Sequence, residues 1–232
     1  MLVDAGTFAV GAAMALRTRR HPGAEVAGEG ATGMTAGLRT LGGDRVLRLS
    51  VLVLGSAVLF AGAVNVAEVF LVKGELGAGD AGFGALAASW GLGMTAGALG
   101  AGRLLTARNS ARTVVLMSMG TGVSLALTGA APTLTVALGL FLVGGACNGT
   151  ENVAMRVLIQ ARVPDRIRGR VYSAYHGGMT VVELLAYAGG GVLVSLVGPR
   201  GTFGIAGGGA LAAALVGAVL LARLRPRPRL PA

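Results

Sequence analysis

The sequence predicts an all-α membrane protein, with six full transmembrane helices after one short first segment. Three observations predict it. Of the 232 residues, 53% are A, V, I, L, M, F, W, Y or C and only 13% are charged, about half the charged share of an ordinary soluble domain. The apolar residues come in runs near the ~20 that a helix needs to cross a bilayer. They lack the alternation of a β-barrel, and unpaired backbone cannot cross lipid, so the runs must be helices.

The elements follow in order. Residues 1–16 are a short first transmembrane segment, about 22 Å long as a helix. Arg17, Arg19 and Arg20 follow it, whereas a secretory signal carries its basic region before the apolar run. Residues 17–46 form a cytoplasmic loop containing a basic amphipathic helix over residues 36–48, with a break at Gly42-Gly43. Residues 47–222 form a six-helix transmembrane bundle. Its spans are 47–72, ending at Lys73-Gly74; 81–105; 112–130, stopped by Pro132; 133–159, stopped before Pro164; 171–197, ended by Gly198-Pro199; and 202–221. Residues 223–232 are a basic cytoplasmic tail.

Consecutive spans alternate sides, which sorts the basic residues. Eighteen arginines fall on one side, and only Lys73 and Arg200 on the other. The rich side is cytoplasmic by the positive-inside rule. The chain is expected in the cell membrane (inner or plasma), with its N-terminus outside and C-terminus inside. The same tally explains the net charge of +10, which on a soluble chain would point to nucleic acid; no nucleic-acid partner is expected.

A charged or strongly polar side chain inside a bilayer is costly, so each is a functional candidate. Asn65 and Glu68 are three apart on the second span, toward its outer end. Asn148, Glu151 and Asn152 recur at i, i+3, i+4 and read as one polar stripe. Glu183 sits near the middle of its span, with His176 about two turns nearer the cytoplasm. Such groups suit a polar cavity between helices, where a carboxylate takes up and releases a proton. The plainer alternatives are helix–helix hydrogen bonding for the stripe, an interfacial place for Glu68, and packing roles for His176, Trp90 and the three tyrosines. Three G-x-x-x-G motifs, Gly93–Gly97, Gly145–Gly149 and Gly204–Gly208, are candidates for close helix approach. Gly189-Gly190-Gly191 is expected to disturb the regularity of its helix.

Enzyme chemistry finds little support. The single lysine is not in a G-x-x-x-x-G-K-[ST] loop, so no ATP-driven pump is spelled. A rhomboid-type G-x-S-G serine is absent, and Ser173 with His176 has no orienting carboxylate nearby in sequence. The lone Cys147 forbids an intramolecular disulfide. No catalytic residue, cofactor or metal is expected.

Two arginine-rich links converge on a resemblance. Counting the short first segment, Arg162-Val-Pro-Asp-Arg-Ile-Arg-Gly-Arg170 joins the fifth and sixth spans, and Gly100-Ala-Gly-Arg103 through Arg112 joins the third and fourth. The pattern resembles the C-terminal half of a major facilitator superfamily transporter, most closely the enterobactin-exporter and macrolide-efflux branch. There a V-P-D-x-x-R-G-R-V loop precedes the penultimate helix, and Val163 to Val171 matches it at each defined position. Val3-Asp-Ala-Gly-Thr-Phe8 resembles the start of that branch's sixth helix.

The resemblance implies helices six to twelve of a twelve-helix fold, with the first five absent by N-terminal truncation or supplied by another chain or a second copy. It implies alternating access by two rocking bundles, driven by protons, with efflux of a small amphiphilic substrate. It also implies a cytoplasmic gate of Asp165, Arg166, Arg168, Gly169 and Arg170, with Arg103, Arg108 and Arg112 on the other loop. That second loop departs from the pattern, because it has no Asp or Glu between Arg103 and Arg112. The competing reading is a non-transporting membrane remnant or scaffold.

Overall fold

The computed structural model describes residues 30–224, which lie almost wholly in one compact unit of residues 33–232. The short first segment and most of the basic tail lie outside the described residues. The described chain is all α, with no strand. Helix α1 is Gly30–Gly43. Helix α2 is Arg45–Phe70, and it continues as one π-helical turn, Leu71–Glu75. Then come α3 (Gly79–Leu104), α4 (Ser110–Gly129) and α5 (Leu134–Arg162). A last helical run, Asp165–Arg223, is broken at Gly198 (φ 71, ψ 174), a conformation that favours glycine. The run is therefore two helices, α6 over residues 165–197 and α7 over residues 199–223. Pro199 stands in the first position of α7, where its missing N–H costs no helix bond.

The boundaries have local causes. Asp44 caps α2, accepting from the backbone N–H of Val46 (2.8 Å) and Leu47 (3.1 Å). The break before α2 thus falls at Asp44 rather than at Gly42-Gly43, which stay in the last turn of α1. Thr133 caps α5 through its hydroxyl, which accepts from Val136 N–H. Gly189-Gly190-Gly191 does not disturb α6, whose helix runs through all three. In lipid no water is available to bond a freed carbonyl, so the helical backbone persists where the same glycines would weaken it in water.

Among the described residues, four helical runs are long and apolar enough to cross a membrane: Arg45–Glu75, Ser110–Gly129, Leu134–Arg162 and Asp165–Arg223, the last supplying two crossings. Helix α3 has the length but not the hydropathy, because eight of its 26 residues are glycine. Large apolar side chains such as Leu92, Leu99, Leu196 and Val216 are exposed, as expected of helices whose outer faces meet lipid. The chain is a multi-pass membrane protein.

Helix α2 packs on both α6 and α7, α4 packs between α7 and α5, and α3 rests on the far side of α5. Close backbone approach makes these crossings. At α3–α5, two of the predicted motifs meet face to face. A Cβ on Gly93 or Gly97 would collide with the carbonyl of Leu142 or Ala146, and one on Gly145 or Gly149 with that of Trp90 or Met94. The third motif does not act this way, since Gly204 and Gly208 face open space. Their neighbour Gly207 makes the α7 contact, against Gly122 and Ala126 of α4. Gly77-Ala-Gly79-Asp-Ala-Gly82 has dinucleotide-loop spacing, but it joins two helices with no strand before it, so it lacks that motif's context.

The helices run up and down, and ion pairs mark both ends. At one end Arg162, on the last turn of α5, holds both carboxylate oxygens of Asp44 (2.7 and 3.0 Å). At the other, Arg200 of α7 pairs with Glu75, and its Nη1 donates to the carbonyls of Gly129 (2.9 Å) and Ala131 (3.0 Å). Lys73 pairs with Asp80 across the α2–α3 turn and lies 5.8 Å from the Phe83 ring centroid. The two basic residues of the arginine-poor end are therefore both neutralised.

Burial alone would push the Asp44 carboxyl up, but the Leu47 N–H and the Arg162 guanidinium outweigh it and hold it below its ordinary value of 3.8. A depressed carboxylate contributes stability that is present above its unfolded pKa and lost as pH falls through the folded one. Asp44→Ala is expected to lose about 1 kcal/mol at neutral pH, a helix cap plus a half-exposed pair. In thermal unfolding followed by circular dichroism, the gap between wild type and variant should close as pH drops below about 3.8. A gap that persists in acid would remove the carboxylate from the explanation.

Candidate functional site

One cavity of about 450 Å³ opens along the bundle between α2, α3, α5 and α6. Asn65, Glu68, Asn148, Asn152, His176 and Glu183 all line it. Six of the seven polar residues singled out in the spans thus converge from three helices on one space. The volume lies in the range of ligand pockets, ~300–1,000 Å³. Apolar and aromatic side chains complete the wall, among them Val58, Met179, Trp90, Phe141 and Tyr175.

The polar groups are connected. Asn65 Nδ2 donates to the Tyr187 hydroxyl (3.4 Å), which in turn donates to Glu183 Oε1 (2.9 Å). Tyr187 lies one helical turn beyond Glu183 on α6, so the pair shares a face, and Asn65 reaches it from α2. Asn152 Nδ2 donates to the backbone carbonyl of Asn148 (2.9 Å) and lies 3.3 Å from its side-chain oxygen. His176 stands with its ring 5.0 Å from that of Tyr175 and 6.3 Å from that of Tyr172, centroid to centroid. Trp90 meets Phe141 edge-on at 5.4 Å.

Glu151 is the exception, and it splits the predicted stripe. It is 1% exposed, absent from the cavity wall, and accepts a hydrogen bond from the Ser118 hydroxyl of α4. The reason is angular. At 100° per residue, Asn148 and Asn152 are about 40° apart, while Glu151 is rotated about 100° from Asn152. The asparagines face the cavity and the glutamate faces the α4–α5 seam.

At the arginine-rich end, Asp165 and Arg168 pair within the first turn of α6. Arg168 Nη2 also donates to the carbonyls of Gln160 (3.1 Å) and Val163 (3.2 Å), tying the end of α5 to the start of α6. Arg166, Gly169 and Arg170 are exposed beside it. Arg103, Arg108 and Arg112 are exposed around the α3–α4 turn, and among the described residues none of the three forms an ion pair. The two halves of the expected gate are thus not joined to each other. The sequence reading missed Asp44–Arg162 at this end; an acidic residue directly before an apolar helix was the available signal. It also treated Trp90, Tyr175 and Tyr187 as packing groups. Only the fold shows Trp90 and Tyr175 lining the cavity, and Tyr187 bonded to Asn65 and Glu183 of its wall.

Comparison with known proteins bears on this architecture. The model of the Major Facilitator Superfamily matches residues 49–232. An uncharacterized MFS-type transporter, YfiS of Bacillus subtilis (strain 168), is 33% identical over 121 residues. That alignment covers 47% of this chain and 29% of the relative, so the chain matches less than a third of the relative's length. No solved structure matches the chain.

Proposed function

This chain belongs to the Major Facilitator Superfamily, and we propose that it forms one bundle of a proton-coupled transporter that expels small amphiphilic molecules by alternating access. The observation that carries the reading is the convergence of Asn65, Glu68, Asn148, Asn152, His176 and Glu183 on one half-open cavity in a membrane bundle. In this reading the cavity is one wall of the substrate path. A second bundle, in a longer chain, a separate chain or a second copy, faces it and rocks against it. Glu68 and Glu183 exchange protons with the cavity, while Glu151, closed off behind α5, holds helices together. The membrane is the cell membrane, and the arginine-rich end is cytoplasmic. Asp165, Arg166, Arg168, Gly169 and Arg170, with Arg103, Arg108 and Arg112, line the cytoplasmic gate.

The test is retention of a fluorescent amphiphilic dye by cells expressing the protein. Expression should lower dye retention, a protonophore should restore it, and Glu183→Gln or Glu68→Gln should cut extrusion by about tenfold or more. Extrusion that ignores the protonophore would sink proton coupling. A dye level unchanged by expression and by both variants would favour the remnant or scaffold reading instead.

A further inference from the structure

A second cavity, of about 340 Å³, lies between α3, α4 and α5 at the arginine-rich end. Gly97, Gly100 and Leu105 line it from α3 and its end, Asn109 and Thr113 from the start of α4, and Thr150 from α5. It is separate from the larger one. Thr150 is two residues from both Asn148 and Asn152, which turns it about 160° away from either around the helix axis. The asparagines face the larger cavity, so this groove lies on the opposite side of α5. Its walls run on into exposed apolar surface. Val143 lies about two turns from Thr150 on the same face of α5, Leu116 lies about one turn beyond Thr113 on α4, and both are exposed. In membrane helices such surface meets lipid. The hydroxyls of the groove are already bonded. That of Thr150 shares its proton between the carbonyls of Gly97 (3.1 Å) and Ala146 (2.9 Å), and that of Thr113 donates to the carbonyl of Asn109 (3.1 Å). The groove therefore suits a hydrocarbon chain better than a polar ligand.

Its rim is different. Arg103 stands in the last turn of α3, Arg108 in the link and Arg112 in the first turn of α4, all exposed. Arg108 and Arg112 each directly precede a residue of the groove wall, Asn109 and Thr113. Among the described residues none of the three forms an ion pair, and no Asp or Glu stands between Arg103 and Arg112. The link joins the ends of two helices of a membrane bundle, so the three guanidiniums sit at the level of the lipid headgroups. Guanidinium groups without a counter-ion attract phosphate and hold it bidentately. They repel an ammonium group, and the link has no carboxylate to offset that repulsion.

We propose that this groove binds an anionic phospholipid, with its headgroup phosphate on Arg103, Arg108 and Arg112 and one acyl chain along the groove. The lipid supplies the negative partner that the α3–α4 link lacks. A zwitterionic lipid with the same chains also carries a phosphate, but its ammonium cancels the charge and adds a fourth cation to the three arginines. The assignment uses neither the larger cavity nor any transport step.

The full chain, purified in detergent, is titrated with dioleoyl phosphatidylglycerol and, separately, with dioleoyl phosphatidylcholine, and retained lipid is followed by native mass spectrometry. Phosphatidylglycerol should be held about tenfold more tightly than phosphatidylcholine. Arg103→Gln, Arg108→Gln and Arg112→Gln together should abolish that preference. Arg39→Gln, Arg45→Gln and Arg48→Gln together remove the same charge from α1 and the start of α2, which do not line the groove, and should leave it intact. Gly100→Leu fills the groove at a position where a Cβ meets nothing. It should weaken retention of phosphatidylglycerol by about threefold or more, with helicity by circular dichroism unchanged. Equal retention of the two lipids, or a preference that survives the change at Arg103, Arg108 and Arg112, would overturn the proposal. So would a preference that both triple changes abolish alike, because any surface charge would then serve. Displacement of the lipid by millimolar inorganic phosphate, with no effect of Gly100→Leu, would make the arginines a site for free phosphate and overturn the lipid assignment.

Discussion

Gly97→Val and Gly149→Val should each destabilise the bundle by about 3 kcal/mol or more, at the upper end of overpacking in a closely fitted interior. The reason lies in what the new atoms would meet. At both positions a Cβ alone already collides with main chain, the carbonyl of Ala146 in one case and of Met94 in the other. A backbone carbonyl in a helix cannot rotate away as a side-chain tip can. The helices must separate, and α3 then loses its groove along α5. Even Gly97→Ala should cost about 1–3 kcal/mol for the same reason. The internal control is Gly139→Ala, also on α5, where a Cβ meets nothing; alanine there should be neutral or slightly stabilising. Unfolding in detergent, followed by circular dichroism, separates the two groups. A loss at Gly139 equal to that at Gly149 would mean that general helix loosening, and not the crossing, sets the effect.

Glu151→Ala should have the second large effect, about 3 kcal/mol, combining the space left by a fully buried side chain with an orphaned Ser118 hydroxyl. Glu151→Gln keeps the volume and an acceptor for Ser118, so it should cost under about 1 kcal/mol. The double change Glu151→Leu with Ser118→Ala removes both partners of the bond, and apolar replacement of a whole pair is nearly neutral. That order, with alanine worst and the paired apolar change mild, is what a structural hydrogen bond between α4 and α5 predicts. Dye extrusion measured on the same variants completes the test. A stable Glu151→Gln protein that has lost extrusion would transfer the proton-handling role from the cavity carboxylates to this buried one.

The contrast between Glu151 and its neighbours shows where sequence reading stops. The spans were legible because lipid demands long apolar runs, and α2, α4, α5, α6 and α7 carry them plainly. The polar candidates were legible for the same reason: a Glu or Asn inside such a run stands out. Which face each would take was not legible. Asn148, Glu151 and Asn152 sit within one turn, and a rotation of the helix by a fraction of a turn decides which of them meets the cavity. Only packing against α3 and α4 sets that rotation. The glycines divide similarly. Gly93–Gly97 and Gly145–Gly149 meet each other, while Gly204–Gly208 has the same spelling and no partner. The motif records that close approach is possible, and the opposing helix decides whether it happens. Trp90, Tyr175 and Tyr187 carry no local signal at all, because an aromatic residue in a membrane helix serves packing and binding equally well.

The glycine-rich face of α3 also bears on the order in which the protein is made. Helix α3 carries eight glycines in 26 residues, and its closest approaches to another helix run through them. Its favourable contacts lie in the groove it shares with α5, and α5 begins at Leu134, 30 residues after α3 ends at Leu104. During synthesis α3 therefore leaves the ribosome before the surface that holds it exists. The tightest contacts of α3 therefore form only once α4 and α5 have been made, so its final packing waits on chain that follows it.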